Sequence, residues 1–134
     1  MESQVKLEDS QLKYFDLYNF ALDGYFTRDI EGIILEVNLS GASLLGVWRR
    51  DLYETAFIRY IVQEYRNQFH KYLLKIEKNA NDKQTLEIKL LKYDKSSFYA
   101  HLEAISIQDN NGYFKEFRIA VTNISLQLKI TGLE

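Results

Sequence analysis

Two histidines, a scatter of carboxylates and one arginine pair are the side chains here that could do chemistry. His70 follows Phe69 in a stretch of helical periodicity. His101 alternates with Phe98, Ala100, Leu102 and Ala104, so it belongs to the polar face of a strand with Tyr99 and Glu103. Glu87, Glu103 and Glu116 likewise alternate outward and read as solvated faces. No acids are spaced as a general acid–base pair, no ligand spacing suits a metal, and no nucleophile elbow is present. Arg49-Arg50 reads as a surface pair. The chain has no cysteine, which excludes disulfides, thiolate metal sites and cysteine nucleophiles. The expectation is therefore no catalytic residue, no metal and no enzyme activity of its own.

Composition narrows the remaining classes. The 134 residues suit one domain, and 46% hydrophobic content supplies a core without crosslinks. Seventeen basic against 19 acidic side chains leave no excess to neutralise phosphates, so no nucleic acid is expected as partner. The N-terminus is polar rather than signal-like, and no apolar run approaches the roughly 20 residues that span a bilayer. No membrane contact and a cytoplasmic location are expected.

Periodicity gives the elements that must position these side chains. Asp9 and Ser10 can cap a helix over about 10–20, with Leu12, Phe15, Leu17 and Tyr18 on its apolar stripe. Residues 25–30 and 33–37 read as strands joined at Glu31-Gly32, with Ile33, Leu35 and Val37 on one face. Asn38 or Ser40 can cap a short helix ending at Gly46, and residues 50–54 suggest another turn. The spacing of Ile58, Ile61, Val62, Tyr65, Phe69, Leu73 and Ile76 predicts a helix over 59–78. Three alternating strands follow, around 86–90, 98–104 and 117–121, separated by turns at 94–96 and 110–112. The order predicts an α+β fold: a five-stranded antiparallel sheet with helices on one face, plus an N-terminal flanking helix.

Several segments match a known family in register. Phe20-Ala21-Leu22-Asp23-Gly24-Tyr25-Phe26, then residues 29–38 from Asp29 to Asn38, then Leu44-Leu45-Gly46-Val47-Trp48, then Asp109 to Gly112 and Val121-Thr122-Asn123-Ile124-Ser125 resemble successive motifs of the PAS domain family. The likeness covers about 12–126, within one domain over 1–134. Three positions depart from the family: Asp94-Lys95 replaces its Asp-Gly turn, its His-Pro-acidic segment is absent near residues 61–64, and Asn123-Ile124-Ser125 replaces its Asp-Ile-Thr. The resemblance implies a dimeric input domain in a two-component or cyclase signalling protein, with a histidine kinase or diguanylate cyclase (GGDEF) effector domain following it.

It also bears on cofactors. Haem-binding members use an inward histidine on the long helix, and His70 lies one position off the inward stripe. Light sensors that bind flavin need a cysteine, and the inward positions Ala100, Leu102 and Val121 cannot hydrogen-bond a flavin edge. No cofactor is expected. Phe26, Leu44, Leu45, Trp48, Phe57, Phe69, Leu86, Ala100, Leu102, Ala104, Ile119 and Val121 would line the cup between helices and sheet, and a filled core is favoured over a pocket for a small apolar ligand. Leu12, Phe15 and Tyr18 are assigned to a homodimer contact. Asn123 and Ser125 are assigned to signal output, Asn123 as cap of an exit helix through the N–H groups of Ser125 and Leu126. The chain stops nine residues after Ser125, which points to an excised fragment, with Leu133-Glu134 as a cloning remnant. The competing readings are a cone-shaped isomerase or dehydratase and a ligand-free structural dimerisation module; the first needs an acid or base inside the cup, and none is placed there.

Overall fold

Period-two burial sets the sheet. In the computed structural model, which describes residues 16–19, 21–78 and 84–125, the strands are β1 (Gly24–Asp29), β2 (Ile34–Val37), β3 (Gln84–Leu91), β4 (Ser97–Gln108) and β5 (Phe114–Asn123). They form one antiparallel sheet in the order β2-β1-β5-β4-β3. On β4, Phe98, Ala100, Leu102, Ala104 and Ser106 are buried while the residues between them reach the other face. Ile88 and Leu90 on β3 and Phe117, Ile119 and Val121 on β5 continue that buried face.

The chain leaves the sheet at one edge, β2, and re-enters at the other, β3. The connection must cross one face, and it covers that face with α1 (Leu39–Leu45), α2 (Arg49–Leu52), two 3₁₀ turns (Phe57–Tyr60 and Gln63–Tyr65) and α3 (Arg66–Lys78). Ala42, Leu45, Leu52, Phe57, Phe69, Tyr72, Leu73 and Ile76 from this crossing pack onto the buried face of the sheet. The α+β architecture with helices on one face agrees with the sequence expectation.

Three expectations are corrected. On β2, Ile34 and Val37 are buried and Leu35 is exposed, because the register steps from Thr27↔Glu36 to Arg28↔Ile34 and leaves Leu35 as the extra residue of a bulge. The long helix begins at Arg66, not near 59. Ile61 instead bridges to Leu90 and the Val62 N–H donates to Lys89 O at 3.1 Å, so these residues run alongside β3. Trp48 is 74% exposed and does not line the cup. Gly46, with φ of 67°, ends α1 in a left-handed turn, and Val47 rather than Trp48 then packs against the core. Of the flanking helix, residues 16–19 are helical; the rest of the predicted span, with Leu12 and Phe15, lies outside the described residues.

Two backbones meet closely where β1 passes α1. A Cβ on Gly24 would stand 2.7 Å from the Gly41 Cα, and one on Gly41 would stand 2.8 Å from Val37 Cγ2. Only glycine at both positions permits this approach, which brings the start of β1 against the first turn of α1.

Candidate functional site

The cup between helices and sheet is the natural place for a bound molecule, and phenylalanine rings occupy its centre. Phe26 from β1, Phe57 from the first 3₁₀ turn and Phe69 from α3 are each no more than 1% exposed. The rings of Phe26 and Phe57 meet edge to face at 5.2 Å, and those of Phe57 and Phe69 lie 5.5 Å apart. Leu45, Ala100, Leu102, Ala104, Ile119 and Val121 close around them, all buried. Leu44 and Leu86 are half-buried at the rim. Tyr72 supplies polar tethering: its O–H donates to Gln84 O at 2.5 Å and accepts from the Ala104 N–H at 2.9 Å, joining α3 to β3 and β4. Burial pushes its phenol pKa up, against the opposing effect of the Ala104 N–H.

The buried polar side chains among the described residues are Asn19, Asn38, Ser106 and Glu116. The Ser106 hydroxyl donates to Ile76 O at 3.2 Å, and Glu116 accepts from Arg118 Nε at 3.0 Å on the outer face of the sheet. The Arg49 guanidinium donates to Asn19 Oδ1 at 2.7 Å, so half of the arginine pair ties the helical residues 16–19 to α2. No cluster of three His, Asp or Glu able to hold a metal occurs among the described residues. His70 is exposed on α3, and His101 lies on the outer face, 3.4 Å from Glu103 and 3.9 Å from Glu87.

Asn38 is the hub of the N-terminal side. Its Oδ1 accepts from the N–H groups of Tyr25 and Gly41, both at 2.8 Å, and its Nδ2 donates to Tyr18 O at 2.6 Å and Asp23 O at 3.1 Å. Both ends of the amide are in use, and the residue is fully buried. It caps α1 and fixes the strand entry together, which places it in the structural role expected for it.

The exit of the sheet is also bonded. Asn123 Oδ1 accepts from the Ser125 N–H at 3.0 Å, and Ser125 Oγ accepts from the Tyr99 N–H at 2.9 Å. Ile124 N–H donates to Tyr99 O at 2.9 Å. The expected bond from Leu126 lies outside the described residues. One contact was not anticipated: the Thr122 hydroxyl donates to Asp23 Oδ1 at 2.8 Å, linking the end of β5 to the approach to β1. Nothing in the local pattern of either residue signals a partner 99 positions away.

The outer face of the sheet carries a depression of about 770 Å³ lined by Leu17, Tyr18, Tyr25, Leu35, Ile105 and Arg118 among others. Tyr18 stacks on Tyr25 of β1 at 6.2 Å, whereas Leu17 is 73% exposed. No helix among the described residues is long and apolar enough to cross a membrane.

This combination of crossed sheet face, capped α1 and bonded exit matches a known class. The family described as PAS fold matches residues 14–119, and the chain belongs to that family. Among solved structures, the PAS domain of a protein from Colwellia psychrerythraea superposes with a TM-score of 0.80 at 15% identity, covering 87% of this chain and 98% of that one. A PAS domain from a two-component sensor histidine kinase gives 0.69 at 14% identity, covering 87% and 98%. The N-terminal domain of a diguanylate cyclase with PAS/PAC sensor from Marinobacter aquaeolei gives 0.66 at 11% identity, covering 78% and 97%. At these identities the structures establish the fold. No curated protein matches the chain.

Proposed function

We propose that this PAS domain is the signal-input and dimerisation module of a multidomain cytoplasmic protein whose output is a histidine kinase or diguanylate cyclase. It acts as a relay whose cup is filled by its own side chains. The observation that carries the reading is the exit junction. Asn123, Ser125 and Tyr99 bond the end of β5, the chain leaving it and the neighbouring strand β4 into one unit. A displacement of the sheet is then delivered to whatever follows Ser125. The names of the similar structures, a sensor histidine kinase and a diguanylate cyclase, support the output class. The exposed Leu17 beside the outer-face depression supports pairing of two copies there.

The test uses the parent protein with Asn123→Ala and Ser125→Ala. Output activity is expected to fall or to lock at one level. The isolated domain is expected to stay folded, at a cost of about 1 kcal/mol for the lost cap. Variants that respond normally over the whole stimulus range would falsify the junction as the transmission point. Sedimentation that finds only monomer at high protein concentration removes the dimer from the proposal.

A further inference from the structure

The one tryptophan of the chain stands in solvent, and its surroundings are not neutral. Trp48, 74% exposed, and Tyr93, 77% exposed, flank a surface cleft of about 760 Å³ between α2, the first 3₁₀ turn and the β3–β4 turn. Three cations, Arg59, Lys92 and Lys95, line it against one carboxylate, Asp51. Arg50 adds a fourth cation close by, its guanidinium 6.0 Å from the Trp48 ring. Asp94 in the adjoining turn is a second carboxylate close by, held ionised by the Ser96 hydroxyl and N–H on its Oδ1 and by the charge of Lys92, so four cations stand against two carboxylates. Among the described residues, Arg59, Lys92 and Lys95 form no ion pair. A chain of net charge −2 thus gathers cations around two exposed rings.

A second observation points to the same place. Lys95 holds a φ of +75°, a left-handed conformation that costs an L-residue roughly 1–2 kcal/mol and that glycine adopts freely. The turn itself is well made, with the Lys92 N–H donating to Ser96 O at 2.8 Å and the Tyr93 N–H to Leu45 O at 2.9 Å. A lysine with a strained backbone therefore lines the cleft.

We propose that this cleft docks an acidic peptide segment carrying an apolar side chain, presented by a separate partner protein. Trp, Tyr and Arg are the residues that anchor protein interfaces, and the surplus of cations selects an acidic partner and steers it. Both rings stand largely in solvent rather than lining an enclosed cavity. This geometry suits a segment laid across the cleft better than a small molecule that a pocket would engulf.

Trp48 provides its own reporter. The full chain is titrated with a ten-residue peptide of alternating glutamate and leucine, and with a control in which lysine replaces glutamate, while Trp48 emission and its indole N–H resonance are followed. The acidic peptide is expected to shift the emission to the blue in a saturable way, with affinity falling as salt is raised towards about 1 M. The double variant Arg59→Ala/Lys95→Gly is expected to weaken binding about tenfold, the sum of two exposed charge contacts. A thermal melt of the double variant at or above that of the unsubstituted chain shows that such a loss is not misfolding. Equal binding of both peptides, an indole unmoved at millimolar acidic peptide, or saturable quenching by a single-stranded oligonucleotide in place of the peptide each overturn the proposal.

Discussion

Replacing Asn38 by alanine removes the amide that serves four backbone groups at once. The N–H groups of Tyr25 and Gly41 and the carbonyls of Tyr18 and Asp23 lose their side-chain partner. A buried polar group left unsatisfied costs about 1–3 kcal/mol, and the cap on α1 alone is worth about 1 kcal/mol. Water can reach the backbone around the half-buried Tyr18 and Asp23, so the expected cost is about 4 kcal/mol rather than the full sum. That is a large share of the stability of a domain this size. With a urea slope of about 2 kcal/mol per molar, the unfolding midpoint should fall by about 2 M at unchanged slope. Asn38→Asp separates hydrogen bonding from shape. A carboxylate keeps the two acceptances but turns two donations into oxygen–oxygen repulsion, and it buries a charge. Its pKa in the folded state is therefore raised, so the stability it permits is full below the ordinary aspartate value of about 4 and is lost as pH rises through the folded value. The aspartate variant should be less stable than the alanine variant at neutral pH and should recover on acidification. An alanine variant losing under about 1 kcal/mol, or an aspartate variant as stable as the parent at pH 7, refutes the hub.

Tyr72→Phe should cost about 1–3 kcal/mol at neutral pH by orphaning Gln84 O and the Ala104 N–H. Because burial raises the Tyr72 pKa, the phenol contributes stability below its ordinary value of about 10 that is lost as pH rises through the folded value. Alkaline denaturation curves should accordingly be shallower for Tyr72→Phe. Phe57→Ala should cost about 3–5 kcal/mol and open an apolar cavity between Phe26 and Phe69; calorimetry should then detect benzene or indole binding that the parent lacks. Lys95→Gly should stabilise the domain by about 0.5–1 kcal/mol, the relieved left-handed strain less the entropy that glycine adds to the unfolded chain, read as a raised melting temperature.

The parts of the fold legible in the sequence are those where one periodicity runs uninterrupted. Phe98, Ala100, Leu102 and Ala104 alternate through β4 because that inner strand is flanked on both sides, by β5 and β3, and one of its faces is covered throughout. The phase of β2 is not legible, because the bulge at Leu35 shifts the alternation by one residue and a bulge leaves no mark in a four-residue strand. Ile61 and Val62 fit a helical stripe by spacing alone; their pairing with Leu90 and Lys89, nearly 30 residues on, overrides it. Most of the cup residues were readable as core. Trp48 was not, since an exposed tryptophan after a glycine turn has the same local pattern as a buried one. The exit at Asn123 was legible from capping chemistry, whereas the bond from Tyr99 to Ser125 depends on a neighbouring strand.

Asp23 and Thr122 bond where β1 starts and β5 stops, and the two strands run antiparallel as neighbours, Gly24 opposite Val121. The ways into and out of the sheet are thus side by side. Tension applied between them acts along the inter-strand hydrogen bonds rather than across the whole ladder, so the strands part like a zipper, one rung at a time, beginning at that single hydroxyl–carboxylate contact. A pull between Asp23 and Thr122 therefore meets that one contact first.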